Sequence, residues 1–296
     1  MDEPPRREAR LSRRRHRFAL VGLFPGSVWL VALFVVPLAI VLAVSVGTTD
    51  VLGRPIFGWH PGNYRQVFEP YFLPVLGRSL LFAVLTTLVC LVLGYSVAYT
   101  IARFGGRYRN VLFAAILLPW FVDYLIRIYA WTVLLGNDGV INAVLRRLGM
   151  GGNPPVQFLN TNLAVVSGLV YSYLPFMVLP IYVVLEQLDP RVIEAGKDLY
   201  GGPRQTFFHV TWPISLGGVT AGCVLVGLPA LGDFANAQLL GGVNSYMIGN
   251  LIKDQFKQAG SWPLGAALTT FLMVVLGFSV LVYLRYARGI ASEPVV

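Results

Sequence analysis

The sequence predicts an all-α, polytopic membrane protein with six transmembrane helices. Of its 296 residues, 56% are hydrophobic and 12% are charged, whereas average soluble domains contain about 25% charged residues. The mean hydropathy is +0.66. Six apolar segments are long enough to cross a bilayer, and basic residues collect near alternate ends of these segments. We therefore expect lipid to surround most of the chain.

The six predicted spans follow from the thickness of the bilayer. A helix needs about 20 predominantly apolar residues to cross the hydrocarbon, and lipid offers no hydrogen-bond partner to an exposed backbone. The segments that meet this requirement are Phe18–Val46, Leu76–Ala102, Val111–Leu135, Leu163–Leu185, Ile214–Leu240 and Leu264–Tyr286. The chain thus divides into a basic tail (residues 1–17), a transmembrane domain (18–286) and a C-terminal tail (287–296).

The distribution of lysine and arginine orients the spans. Cytoplasmic loops are enriched in these residues, and an internal N-terminus places the arginines of residues 6–17 in the cytoplasm. The same orientation places these basic residues there: Arg103, Arg107, Arg109, Arg191, Lys197, Arg204, Arg285 and Arg288. Both termini are therefore predicted to be cytoplasmic. A cleaved signal peptide is the alternative for the first span, but its apolar core would far exceed the usual 7–15 residues.

Composition also argues against two other classes of protein. The net charge is +9, yet the basic residues alternate with apolar segments and form no continuous stripe for nucleic acid. Cys90 and Cys223 both lie in apolar segments. We therefore predict neither nucleic-acid binding nor a cysteine-based disulfide framework or metal site.

The loop between the fourth and fifth spans, residues 189–213, has the sequence signals of two short helices. Asp189 can cap the first free N–H groups, and Pro190 suits the first helical position. Gly201 can end this helix in a left-handed conformation, and Pro203 can open the next helix.

The first of these short helices is predicted to be amphipathic. Val192, Ala195 and Leu199 recur at helical spacing and form an apolar stripe, whereas Glu194 and Lys197 lie on another face. By amphipathicity alone, a helix lying on lipid headgroups is favoured over a helix that docks on a protein.

The same loop resembles the EAA motif of the permeases of ATP-binding-cassette (ABC) importers, in which the first short helix couples the permease to its ATPase subunit. The residues at matching positions are Glu194, Ala195, Asp198, Leu199, Phe207, Val210 and Pro213. Gly196 replaces the second alanine of the motif, and Tyr200 stands where glycine is usual. The resemblance implies that the ATPase-coupling residues are Glu194, Ala195, Gly196, Asp198, Leu199 and Gly201.

Two further stretches, residues 119–142 and 229–267, are similar to permeases of spermidine/putrescine importers of the PotB type. The resemblance implies a MetI-like ABC importer permease fold in the bacterial inner membrane, forming half of the pathway. The implied partners are ABC ATPase subunits, a second permease, an extracytoplasmic solute-binding protein and the lipid bilayer. Permeases for iron(III), thiamine or phosphonate share much of this pattern and remain alternatives. An ion-coupled secondary transporter would more often have ten or more spans with internal repeats.

The chain is not expected to be an enzyme. It contains no Gly-x-x-x-x-Gly-Lys-Ser/Thr loop, so the backbone cradle and lysine that hold nucleotide phosphates are missing. We therefore expect the chain itself to bind no cofactor, and a partner ATPase to use ATP and magnesium.

Ionisable residues inside the spans are candidates for the solute path, because each costs roughly 2.5–3.5 kcal/mol on insertion. Asp123 and Arg127 lie one helical turn apart, which suits either an internal ion pair or a role in solute passage. Asp233 has no basic residue within a turn. It is the stronger candidate for contact with a cationic solute, the alternative being a helix cap or a structural hydrogen bond beside Gly232.

Aromatic residues in the third span are weaker candidates. Trp120 and Tyr124 could stack on a polyamine through cation–π attraction. The alternative is that they belong to the aromatic belt at the membrane interface or to the packed core. Gly218 and Gly222 form a Gly-x-x-x-Gly step that allows close helix approach, within the chain or against a second permease.

Overall fold

The computed structural model describes residues 26–50, 53–149, 156–257 and 259–291, with side chains described as far as Arg285. The predicted basic tail of residues 1–17 and the start of the first predicted span lie outside the described residues. Six helical segments of the described chain are long and apolar enough to cross a membrane, in agreement with the prediction.

The first span is helix α1, Gly26–Ser45, of which 6% is buried against the rest of the chain. A short antiparallel pair follows, β1 (Thr48–Thr49) with β2 (Pro55–Ile56), in which Thr48 lies opposite Ile56. Helix α2, Gly62–Val67, then leads into the second span.

Three long helices form the centre of the bundle. They are α3 (Phe72–Phe104), α7 (Asn162–Gln187) and α10 (Trp212–Gly232). Each packs on the other two. Their shared core contains the buried side chains of Cys90, Ala98, Met177, Ile181, Leu185 and Val226.

The Gly-x-x-x-Gly step serves packing within the chain. A Cβ atom at Gly218 would lie 2.7 Å from the carbonyl oxygen of Pro180, and one at Gly222 would lie 2.6 Å from the sulfur of Met177. Both neighbours belong to α7, so the two glycines allow α10 to pack directly on that helix.

The third span, predicted over Val111–Leu135, is interrupted. Helix α4 covers Arg109–Leu117, a 3-10 turn covers Leu118–Phe121, and α5 covers Tyr124–Leu135. Helix α6, Val140–Arg147, follows. Helices α5 and α6 together qualify as a crossing segment by length and composition.

The interruption has a local cause. Val122 adopts an extended conformation (ψ 141°), and the carboxylate of Asp123 accepts hydrogen bonds from the N–H groups of Leu125 and Ile126. The side chain thus caps a new helix. By contrast, Pro175 and Pro180 lie inside α7 without ending it.

The loop between the fourth and fifth spans begins as predicted, with helix α8 at Pro190–Tyr200. Asp189 caps it by accepting from the N–H of Arg191, and Gly201 ends it with φ +73°. The prediction of a separate second helix is wrong. Helix α9 (Pro203–Thr206) continues through a π-helical turn into α10 without a gap.

The fifth span also ends earlier than predicted. Its helix runs from Pro203 to Gly232, whereas the prediction was Ile214–Leu240. The chain breaks at Asp233 and Phe234 before helix α11, Ala235–Leu240. The remaining elements are a 3-10 turn at Val243–Ser245, helix α12 (Ile248–Lys257) and helix α13 (Trp262–Ala291).

Candidate functional site

The first candidate site is the outer surface of α8. The apolar side chains of Val192 and Leu199 are 42% and 75% exposed, and Ala195 is also exposed. Glu194 and Asp198 are exposed as well. The predicted apolar stripe is therefore exposed in the described part of the chain, and α8 also carries exposed acidic groups.

Gly196 is buried, unlike the residues of this stripe. A Cβ atom at this position would lie 3.0 Å from the Cγ2 atoms of both Thr206 and Val210. Carbon atoms in ordinary contact are about 3.5–4.0 Å apart. The glycine that replaces the usual alanine of the motif therefore allows α8 to lie very close to the start of the fifth-span helix.

Tyr200 makes a second contact between the same two elements. Its ring stacks on that of His209, with 4.8 Å between ring centroids and 17° between the planes. The Nδ1 atom of His209 lies 2.9 Å from the carbonyl oxygen of Gln205. The residue that departs from the motif thus fixes the end of α8 against the π-helical turn.

An ion pair joins the third and fourth spans. The Nη2 atom of Arg109, at the start of α4, lies 2.9 Å from the Oε1 atom of Glu186, near the end of α7. The two side chains are 41% and 33% exposed, so the pair is only partly shielded from solvent.

The second candidate site is a polar cluster around Asp233, whose side chain is 6% exposed. One carboxylate oxygen accepts from the hydroxyl groups of Tyr124 and Tyr173, the latter at 3.0 Å, and from the Asn236 amide at 2.9 Å. The other oxygen accepts from the Asn236 N–H at 3.0 Å. The break between α10 and α11 thus lies beside the first residue of α5.

Both interpretations of Asp233 find a counterpart in this geometry. Its bond to the Asn236 N–H caps α11, as the structural alternative required. The other carboxylate oxygen, Oδ2, accepts hydrogen bonds from Tyr124 of α5 and Tyr173 of α7. A role in solute contact therefore stays a prediction for Asp233 and Tyr124.

Of the two alternatives for Asp123 and Arg127, the internal ion pair does not form in the described part of the chain, and a role of Asp123 in solute passage stays a prediction. Asp123 is exposed and caps α5, and no ion pair to Arg127 occurs within the described ranges. Arg127 is 8% exposed, and its guanidinium carbon lies 5.7 Å from the ring centroid of Tyr124. The helix break changes the direction in which Asp123 projects.

Trp120 connects to the cluster through a series of rings. It is 44% exposed and packs edge-on against Phe176, with centroids 5.5 Å apart. Phe176 in turn lies 6.4 Å from Tyr173, the second hydroxyl donor to Asp233. An aromatic series thus leads from the surface of the bundle to the buried carboxylate.

Sequence reasoning missed Tyr173 and Asn236 as members of the cluster. Tyr173 belongs to an aromatic series that is typical of a packed core, and no local signal distinguishes it. Asn236 could have been found, because it follows Asp233 at the i, i+3 spacing of a helix cap.

Comparison with known proteins agrees with the resemblance to importer permeases. Residues 90–288 match the family model described as "Binding-protein-dependent transport system inner membrane component". The spermidine/putrescine transport system permease protein PotB of Haemophilus influenzae is 39% identical over 87% of this chain and 90% of that protein. PotB of Escherichia coli is 38% identical over 88% of this chain and 94% of that protein.

Solved structures show the same architecture. A chain from a bacterial ABC transporter involved in the import of the acidic polysaccharide alginate superposes with a TM-score of 0.77. The match covers 97% of this chain and 100% of that chain at 18% identity. At this identity the similarity is one of fold, and it confirms the predicted six-span permease architecture.

Proposed function

Since this chain belongs to the family of binding-protein-dependent transport system inner membrane components, we propose that it forms half of the pathway of an ABC importer for polyamines. The chain is a multi-pass membrane permease of the ABC importer type. The observation that supports a polyamine as the solute is the buried Asp233 carboxylate, which lies between the hydroxyl groups of two tyrosines.

This cluster has the chemistry that a protonated amine requires. A buried carboxylate supplies the opposite charge, and hydrogen bonds from Tyr124, Tyr173 and Asn236 stabilise it while no solute is bound. Each aromatic ring can add about 0.5–2 kcal/mol of cation–π attraction. The names of the PotB relatives support the same solute class, spermidine and putrescine.

The surface of α8 is proposed to dock on an ABC ATPase subunit, which uses ATP and magnesium. Its exposed apolar and acidic residues suit a protein partner, and both termini are then cytoplasmic. The site comprises Glu194, Ala195, Gly196, Asp198, Leu199 and Gly201. A second permease completes the pathway, and an extracytoplasmic binding protein delivers solute. One of the similar structures is an alginate transporter in complex with a periplasmic protein.

The alternative solutes differ in their fit to the cluster. A phosphonate is an anion, and Asp233 would repel it. Thiamine and iron(III) are cations, and the carboxylate and phenol oxygens are hard ligands that also suit iron(III). Iron(III) is therefore the second candidate.

ATP-dependent uptake of radiolabelled spermidine into proteoliposomes tests the proposal. The permease would be reconstituted with its ATPase, second permease and binding protein. Asp233→Asn should reduce uptake more than about tenfold, because the substitution removes the buried negative charge that attracts the protonated amine. Asp138→Asn, in an acid whose side chain is 90% exposed, is the matched control. Unchanged uptake by Asp233→Asn, or uptake of iron(III) but not spermidine, would refute the assignment.

A further inference from the structure

Arg127 and Asp233 are the two charged side chains that are buried within the described part of the chain, at 8% and 6% exposure. Their charges are opposite, yet they form no ion pair within those residues. Two buried opposite charges normally pair, because an isolated charge in a medium of low polarity is costly.

Tyr124 lies between the two charges. Its hydroxyl group donates to Asp233, and its ring faces Arg127, with the guanidinium carbon 5.7 Å from the centroid. This distance is within the range of a cation–π contact. One phenol side chain thus contacts both charges and keeps them apart.

The two charged groups differ in the number of hydrogen bonds that they form with the protein. Asp233 accepts four hydrogen bonds, from Tyr124, Tyr173 and both nitrogens of Asn236. The Nε atom of Arg127 is buried and has no hydrogen-bond partner among the described residues. The guanidinium would therefore gain from contact with a carboxylate, and Asp233 is the acid on the other side of the Tyr124 side chain.

In the structure Arg127 lies beside a cavity that Asp233 does not line. Arg127 lines this cavity, of about 320 Å³, together with Trp131 and Tyr171. The break at Val122 and Asp123 directly precedes Tyr124, so the start of α5 can turn there without losing hydrogen bonds inside a helix.

We propose that Arg127 is an alternative counter-ion that competes with the solute for Asp233. This inference rests on the proposed function, in which the solute is a protonated amine. A single carboxylate cannot neutralise a guanidinium and an ammonium group together, so each cation displaces the other. Movement of Arg127 to Asp233 lowers the affinity for the solute and promotes its release, as conduction through a binding site requires.

Equilibrium binding of radiolabelled spermidine to the assembled transporter in nanodiscs tests the inference, with the binding protein omitted. Arg127→Gln removes the competing charge, so we expect Kd to fall about tenfold, the lower end of the effect of one nearby charge. In proteoliposomes the same variant should show a lower KM together with a lower kcat, because release becomes slow. A purely structural role for Arg127 would not produce this combination.

Arg103→Gln is the matched control. Arg103 also has buried guanidinium nitrogens without a partner, but it lies in the last turn of α3, and its removal should leave Kd unchanged. Arg127→Lys keeps the charge and should bind spermidine much as the unaltered protein does.

Binding to two variants distinguishes a failure of this inference from a failure of the proposed function. If Arg127→Gln binds no more tightly while Asp233→Asn abolishes binding, the counter-ion inference is overturned and the proposed function stands. If Asp233→Asn binds normally, the proposed solute site itself is overturned.

A measurement on the unaltered protein covers the case in which Arg127→Gln does not fold. Spermidine should accelerate modification of Arg127 by phenylglyoxal, measured by mass spectrometry, because solute bound at Asp233 keeps the guanidinium in the cavity. An unchanged or slower reaction would overturn the inference.

Discussion

Replacing Gly196 by alanine tests how closely α8 must lie against the fifth-span helix. The new Cβ atom would lie 3.0 Å from two methyl carbons, those of Thr206 and Val210. Overpacking of this kind costs about 1–3 kcal/mol. Alanine regains about 1 kcal/mol of helix propensity over glycine. The net expectation is a loss of about 1 kcal/mol from the packing of α8.

Hydrogen–deuterium exchange of residues 190–200 measures this loss directly. A change of 1 kcal/mol corresponds to roughly fivefold more frequent opening, so the amides of α8 should exchange about fivefold faster in Gly196→Ala. The number of solute molecules imported per ATP hydrolysed should fall as well. Val210→Ala removes one of the crowded methyl groups, and adding it to Gly196→Ala should restore part of the protection.

The control is Gly217→Ala in α10, where a Cβ atom would meet nothing within 4 Å. This variant has the same gain in helix propensity and should leave exchange in α8 unchanged. Slower exchange of α8 in Gly196→Ala, with normal coupling, would refute the reasoning, because it would mean that propensity outweighs the close contact.

Three further predictions concern exposed or partly exposed groups. Glu194→Lys should abolish solute uptake while membrane insertion stays normal, because Glu194 is exposed and has no role in packing; normal uptake in proteoliposomes would contradict docking at α8. Arg109→Glu should lower the melting temperature slightly, because a partly exposed ion pair such as Arg109–Glu186 contributes about 1 kcal/mol or less. The double variant Arg109→Glu/Glu186→Arg should restore the melting temperature. A double variant that melts as low as the single one would contradict a stabilising ion pair. Burial and a hydrogen bond to Asp254 raise the pKa of Tyr246 above its ordinary value, so its contribution to stability is complete below about pH 10 and is lost as the pH rises through the folded-state pKa. The alkaline fall in melting temperature should therefore be smaller in Tyr246→Phe, and an identical fall would contradict this.

Much of the fold follows from local signals. Apolar length identified the spans, since a lipid-embedded backbone has few other solutions. The limits of α8 followed from Asp189 and Gly201, whose roles depend on neighbouring backbone groups alone. The resemblance to importer permeases is confirmed by the family match over residues 90–288.

The helix breaks could not be predicted in the same way. An aspartate in a long apolar segment indicates an intramembrane charge, but it does not reveal whether the helix continues through it. At Asp233 the break is stabilised by hydroxyl groups from Tyr173 and Tyr124, which lie 60 and 109 positions away in sequence. Such distant partners also explain why the ion pair between Asp123 and Arg127 was expected from helical spacing but does not form.

The helical segment from Pro203 to Gly232 connects the loop between the fourth and fifth spans with the polar cluster around Asp233. Its 30 residues span about 45 Å at 1.5 Å per residue. A tilt of about ten degrees displaces one end relative to the other by roughly 8 Å over this length. Because Asp233 directly follows this helix, such a displacement would exceed the 3.0 Å that separate its carboxylate from the Tyr173 hydroxyl group.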